Sequence, residues 1–126
     1  MTAFLLDLDG TTVHFGTNKL IDGKLEEMIE LTKAGHQIIF LTARAYDGPG
    51  AYQWPPGHVF TKEGTQPLLD HLKEHGINVR ILFGVLSPRI VINDAGAHAI
   101  TCEKNKPLGV SLMYLAREAE RKWGHL

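Results

Sequence analysis

The stretch AFLLDLDGTT, residues 3–12, decides how the rest of the chain is interpreted. It begins with a short apolar run without alternation, which is typical of a strand buried on both faces of a parallel sheet. Asp7, Asp9 and Gly10 then end that run abruptly. In open α/β sheets ligands bind outside the carboxyl ends of the strands. The stretch therefore predicts a buried first strand with a polar site at its end.

The next thirty residues predict a β-α-β unit. Asp22 can cap a helix over residues 23–34, and Gly35 is suited to the left-handed conformation that commonly ends a helix. The apolar run QIIFL, residues 37–41, is a second buried strand. The two strands should be parallel, with a right-handed crossover.

The remaining segments continue an α/β alternation after an aromatic, proline-rich loop. A second helix is predicted between a cap at Thr65 and Gly76, and a last one from Pro107 or Ser111 to Trp123. The remaining strands are expected over residues 79–83 and 89–92, with a fifth over residues 97–101 left open. The third and fourth strands are separated by about five residues, fewer than a parallel crossover usually needs. Either that link passes over the sheet edge, or one segment is not a regular parallel strand.

Composition limits the class of protein. The chain has 126 residues, of which 44% are hydrophobic and 21% charged, enough for one domain over residues 1–126. A formal net charge of -1 provides no overall field toward nucleic acid or anionic lipid. We expect no membrane span, because no apolar run approaches the roughly 20 residues required. The single cysteine, Cys102, and the lack of a signal-peptide pattern predict a cytoplasmic location.

Three apolar runs end in side chains suited to phosphate chemistry. The first ends at Asp7 and Asp9, the second at Thr42 and Arg44, and the predicted fourth strand at Asn93 and Asp94. Asp7 and Asp94 on adjacent strands would repel each other without a cation between them, and an all-oxygen site suits Mg²⁺. The main-chain carbonyl of Asp9 can reach the same ion, which frees its side chain to handle protons.

These segments resemble a known family. DLDGTT at residues 7–12, LTAR at 41–44 and IND at 92–94 are similar, in order, to the first, second and fourth motifs of the haloacid dehalogenase-like hydrolases. The resemblance implies a Rossmann-like α/β fold, a three-layer sandwich with a mostly parallel central sheet. It also implies that the cap domain of larger relatives is absent, since neither of the two places that carry one holds a large insertion.

The resemblance further implies a Mg²⁺-dependent phosphoric monoester hydrolase. Asp7 would attack phosphorus to form an aspartyl phosphate, and Asp9 would serve as acid and base. The residues implied to surround the phosphate are Gly10, Thr42, Ala43, Arg44 and Arg89. The implied Mg²⁺ ligands are Asp7, Asp9 and Asp94.

The third motif of the family departs from its usual form. Small capless relatives often carry FGKP where this chain has FGVL, residues 83–86, so Val85 stands at the position of a lysine. Arg44, Arg89 or Lys62 could supply the missing charge. Two alternatives therefore stay open: a weak or inactive module that binds a phosphorylated ligand or partner, and a nucleic-acid end phosphatase, which the net charge disfavours.

The expected partner is a phosphorylated small molecule or a macromolecular phosphate. A homo-oligomer is left open, because capless relatives can use a neighbouring subunit as a lid. Residues 13–19 would form a short flap over the site. Tyr46, Tyr52 and Trp54 could stack on a base or sugar ring, or could simply pack their own loop.

Overall fold

A three-stranded parallel sheet organises the computed structural model, which describes residues 1–125. Its strands are β1 (Ala3–Asp7), β2 (Gln37–Leu41) and β3 (Arg80–Leu82), in the order β1-β2-β3. Asp7 lies opposite Leu41 in the register of the first pair. The carboxyl ends of β1 and β2 therefore meet at the same edge of the sheet, as predicted.

Three helices connect and cover the strands: α1 (Lys24–Lys33), α2 (Lys62–Glu74) and α3 (Leu112–Trp123). Two of the predicted caps are wrong. Gly23, not Asp22, precedes α1, in a left-handed conformation without a side-chain cap. Thr61 caps α2 by accepting a hydrogen bond from the Gly64 N–H, so Thr65 lies inside the helix. The cap of α3 is Ser111, one of the two predicted starts.

The apolar core joins the sheet to all three helices. Its members are buried side chains from β1, β2 and each helix, including Leu6, Phe40, Met28, Leu31, Leu68, Leu72 and Leu112. The α/β class with a parallel sheet is confirmed, and no cap domain is present in residues 1–125. Leu5 is 52% exposed, so one face of β1 is incompletely covered and the prediction of a strand buried on both faces is wrong.

The predicted fourth and fifth strands are absent from the described chain. Residues 83–111 contain no helix or strand, and Ile90 and Ile92 are about nine-tenths exposed. The link after β3 is too short for a parallel crossover, and Pro88 within it has no N–H to donate to a ladder. Of the two alternatives for that short link, the second is observed: the segment after it is not a regular parallel strand. No described helix is long and apolar enough to cross a bilayer.

Candidate active site

The turn after β1 presents the first aspartates. The Leu8 carbonyl accepts hydrogen bonds from the N–H groups of residues 11–13, at 3.2, 2.9 and 3.0 Å. Gly10 has a φ of 85°, a left-handed value that most side chains disfavour. The Thr12 hydroxyl donates to the Asp7 carbonyl at 2.7 Å. The turn thus fixes Asp7 and Asp9 at the carboxyl end of β1.

Asp7 faces a guanidinium from the irregular segment. Nη1 of Arg89 lies 3.1 Å from Oδ1 of Asp7, whose side chain is 35% exposed. A second Arg89 nitrogen, Nη2, donates to the Val85 carbonyl at 2.9 Å. Burial raises the pKa of Asp7 above its ordinary 3.8, and Arg89 opposes that rise. Arg89 therefore brings a positive charge to the predicted nucleophile, while Val85, at the lysine position, contributes only its carbonyl.

Asp9 faces a different guanidinium. Nε of Arg44 lies 3.0 Å from Oδ2 of Asp9, and Nη2 lies 2.9 Å from Oδ1. The side chain of Arg44 is 0% exposed and that of Asp9 is 7% exposed. Oδ1 also accepts from the Gly16 N–H at 3.1 Å. Both Asp9 oxygens are thus occupied by a bidentate buried pair.

The other N–H groups of Arg44 tie three segments together. Nη1 donates to Asn18, to the Val59 carbonyl and to the Thr65 hydroxyl at 2.8 to 3.2 Å. Nη2 also donates to the Thr17 carbonyl at 2.6 Å. All the nitrogens of Arg44 donate within the protein, so in this arrangement Arg44 holds Asp9 and the flap rather than facing a ligand.

Thr42 and Ala43 lie at the same edge but beneath the surface. Both are buried, and the Thr42 hydroxyl oxygen accepts from the Arg44 N–H at 3.1 Å. The side chain of Thr42 is 0% exposed, so its hydroxyl is covered in this arrangement. The main chain of Thr42 is held between the Leu82 carbonyl and the Val85 N–H, at 3.1 and 2.8 Å. The second motif is therefore anchored next to the third strand.

Asp94 is not brought into this group as a third ligand. It lies in an exposed turn, where its carboxylate accepts from the Ala95 N–H at 2.8 Å. Residues 1–125 hold no group of three or more His, Cys, Asp or Glu side chains suited to a metal ion. Because Asp7 pairs with Arg89 and Asp9 with Arg44, the arrangement does not fit Mg²⁺. The predicted ligand set is not assembled, and the metal role of Asp94 stays a prediction.

Residues 104 and 105, which the sequence analysis did not single out, pack against the turn after β1. The Asn105 N–H donates to the Gly10 carbonyl at 2.8 Å, and its side-chain oxygen accepts from the Phe15 N–H at 2.7 Å. Nζ of Lys104 lies 4.2 Å from the centroid of the Phe15 ring. A Cβ on Gly10 would come within 3.1 Å of Lys104. Asn105, in this segment, has a left-handed φ of 63°.

The comparisons with known proteins concern the fold. No protein-family model and no curated protein matches the chain. The structure is similar to D,D-heptose 1,7-bisphosphate phosphatase from B. bronchiseptica, which was crystallised with magnesium and phosphate. That TM-score is 0.49 at 16% identity, over 98% of this chain and only 64% of the phosphatase.

A target protein from Vibrio cholerae gives a TM-score of 0.48 at 20% identity, over 97% of this chain and 99% of that protein. Neither overlap is close enough to carry an argument on chemistry. These two overlaps describe a similarity in fold, and the resemblance to the haloacid dehalogenase-like hydrolases rests on the chain's own motifs.

Proposed function

We propose that the chain hydrolyses phosphate monoesters with Asp7 as the nucleophile. One observation supports this most directly: Asp7, the Asp9–Arg44 pair and Thr42 come from two adjacent parallel strands and meet at one sheet edge. Arg89 adds a guanidinium at the nucleophile, where a phosphoryl group would bring further negative charge. An arginine fork is well suited to bind phosphoryl oxygens.

The proposed reaction proceeds in two displacements. A carboxylate oxygen of Asp7 bonds to phosphorus while the ester P–O bond breaks and the leaving oxygen takes a proton from Asp9. A water then returns a proton to Asp9, attacks phosphorus and releases Asp7. For this role Asp9 must exchange one of its two bonds from Arg44 for a bond to substrate or water.

The proposed reaction does not require Mg²⁺, and whether the activity depends on this ion is left to experiment. The resemblance implies Mg²⁺, yet Asp7 could bind it only after Arg89 moved away and Asp94 approached. No step above depends on the ion. The substrate is proposed to be a phosphorylated small molecule or a macromolecular phosphate, and both a homo-oligomer and a cytoplasmic location stay predictions.

A second candidate function has its own support. Each aspartate of the first motif is neutralised by an arginine, and Val85 replaces the usual lysine. These features favour a module that binds a phosphorylated ligand or partner without turning it over. Its site would be the same sheet edge.

A screen of phosphate monoesters separates the two candidates. Phosphate release from sugar phosphates, nucleotides and oligonucleotide ends would be measured with and without Mg²⁺, beside the Asp7→Asn variant. We expect release by the parent and none by the variant. Tight binding of an ester without release would favour the module, whereas neither binding nor release would contradict both candidates.

A further inference from the structure

The charged groups of the candidate active site already balance one another. Arg89 pairs with Asp7 at 3.1 Å, and Arg44 pairs with both oxygens of Asp9 at 3.0 and 2.9 Å. Every nitrogen of Arg44 also has an acceptor within the protein. A phosphate monoester brings about two further negative charges at neutral pH. Two neutral ion pairs cannot balance those charges, so the site needs a cation that is not already paired.

Lys104 is a cation that no carboxylate neutralises within residues 1–125. The carboxylate next to it in the sequence, that of Glu103, is paired with Lys106, whose Nζ lies 3.1 Å from the Glu103 Oε2. The Lys104 Nζ lies instead 4.2 Å from the centroid of the Phe15 ring, which is 39% exposed. A cation–π contact at an exposed ring is weaker than a charge-assisted bond to phosphate. The Lys104 ammonium can therefore exchange its present partner for an anion.

Two contacts hold the side chain of Lys104 near Asp9. Gly10 directly follows Asp9, and a Cβ on Gly10 would come within 3.1 Å of the Lys104 Cγ, so the lysine stem rests on the turn that presents Asp9. The ammonium lies over Phe15, and the next residue, Gly16, donates its N–H to Oδ1 of Asp9 at 3.1 Å. Lys104 therefore contacts both a chain neighbour of Asp9 and the segment that is hydrogen-bonded to its carboxylate.

The backbone that carries Lys104 is fixed by the residue after it. The Asn105 N–H donates to the Gly10 carbonyl at 2.8 Å, and the Asn105 side-chain oxygen accepts from the Phe15 N–H at 2.7 Å. Lys104 itself is exposed, and the stem of a lysine beyond Cγ is flexible. Only the end of this side chain therefore has to move for the ammonium to reach an anion bound over the turn.

We propose that Lys104 binds a phosphoryl oxygen of the substrate on the Asp9 side of the site. The inference rests on the proposed function for the position of the phosphate, but this binding does not require turnover. Lys104 follows the predicted fourth motif in the sequence, so it is distinct from the lysine position of the third motif, which Val85 occupies. Arg89 serves the same phosphoryl group from the Asp7 side, and of these two cations only Lys104 has no carboxylate to leave.

Calorimetric titration with inorganic phosphate, which binds without turnover, tests the proposal. Lys104→Met keeps an unbranched stem on Gly10 but removes the charge, and we expect it to weaken phosphate binding about tenfold. Lys104→Arg should retain most of the affinity. The difference between the parent and Lys104→Met should narrow at high ionic strength, because Lys104 is exposed. In the hydrolysis assay Lys104→Met should raise KM and leave kcat nearly unchanged.

Lys73→Met is the matched control, since it removes the same charge from an exposed lysine on α2 and should bind phosphate like the parent. No phosphate binding by the parent, equal affinity of the parent and Lys104→Met, or an equal loss in Lys104→Arg would overturn the proposal. Binding that depends on Lys104 without phosphate release from any ester would support it and contradict only the proposed hydrolysis. Release by the parent with the same KM in Lys104→Met would overturn the role of Lys104 and leave the proposed function standing.

Discussion

Asp7 is the proposed nucleophile, and burial makes its charged form less favourable. Burial raises its pKa above 3.8, so its contribution to stability is complete below that pH and is lost as the pH rises through the folded-state pKa. We therefore expect Asp7→Asn to unfold at a higher urea concentration than the parent at pH 7, with the gap closing toward pH 3.8. The same variant should release no phosphate.

The control for this prediction is Asp47→Asn, which neutralises an exposed aspartate. That variant should keep the parent's activity and show little change in its unfolding midpoint at either pH. If Asp7→Asn were fully active, Asp7 would not be the nucleophile. If its stability gap widened on acidification, the sign of the pKa shift would be wrong.

Arg89 is the residue best placed to replace the missing lysine. It stands 3.1 Å from Asp7 and can neutralise an incoming phosphoryl group. Arg89→Met should lower kcat/KM by about a hundredfold, because the excess negative charge is then left uncompensated. Initial rates at subsaturating substrate would measure this.

Val85→Lys is the companion to that experiment, since it restores charge at the family's usual position. In the Arg89→Met background we expect it to recover part of the lost rate. Unchanged rates in both variants would remove Arg89 from the reaction. A large gain from Val85→Lys in the parent chain would show that the parent lacks a cation that it needs.

At the scale of elements, Arg44 joins β2 to the flap and to α2. Its side chain is fully buried and pairs with Asp9, which is itself nearly buried. Removing one partner leaves the other charge uncompensated, at a cost of about 3 to 5 kcal/mol. Arg44→Met should therefore lower the free energy of unfolding by several kcal/mol, measured by urea denaturation. Arg80→Met, an exposed arginine on β3, is the control and should unfold like the parent.

The sequence predicted elements well where local signals were strong. β1, β2 and the body of each helix follow from apolar runs, amphipathic spacing and glycine stops. The prediction of a strand over residues 89–92 was wrong, because an apolar run cannot join a parallel sheet when the link before it is too short for a crossover. For the same reason Asp94 was expected beside Asp7 and lies in an exposed turn instead.

The candidate site was predicted in part. Asp7, Asp9, Thr42 and Arg44 meet as expected, because register follows from the parallel pairing of β1 with β2. Which arginine pairs with which aspartate depends on side-chain packing between distant segments. No spacing in the sequence carries that information, and the contact of Asn105 with the first turn was missed for the same reason.

At the scale of the whole molecule, a divalent cation tests whether the site can rearrange. If Asp94 can approach Asp7, millimolar Mg²⁺ should raise the melting temperature by mass action, and Asp94→Ala should abolish the shift. Differential scanning fluorimetry with and without EDTA measures this. Asp22→Ala, an exposed aspartate far from Asp94 in the sequence, is the control and should leave the shift in place. An unchanged melting temperature in the parent would contradict the magnesium site.

The cation that pairs with Asp7, Arg89, comes from the irregular segment after β3 and not from a helix or strand. Within the described chain, Ala95 is the one residue between 86 and 101 whose backbone N–H donates a hydrogen bond. Amides of that segment should exchange with deuterium far faster than those of β1 and β2, since little backbone bonding must be broken. Arg89 belongs to the stretch expected to exchange fast, and its partner Asp7 belongs to β1, which is expected to exchange slowly. The guanidinium can then leave the carboxylate by local opening alone, at a small fraction of the free energy of global unfolding.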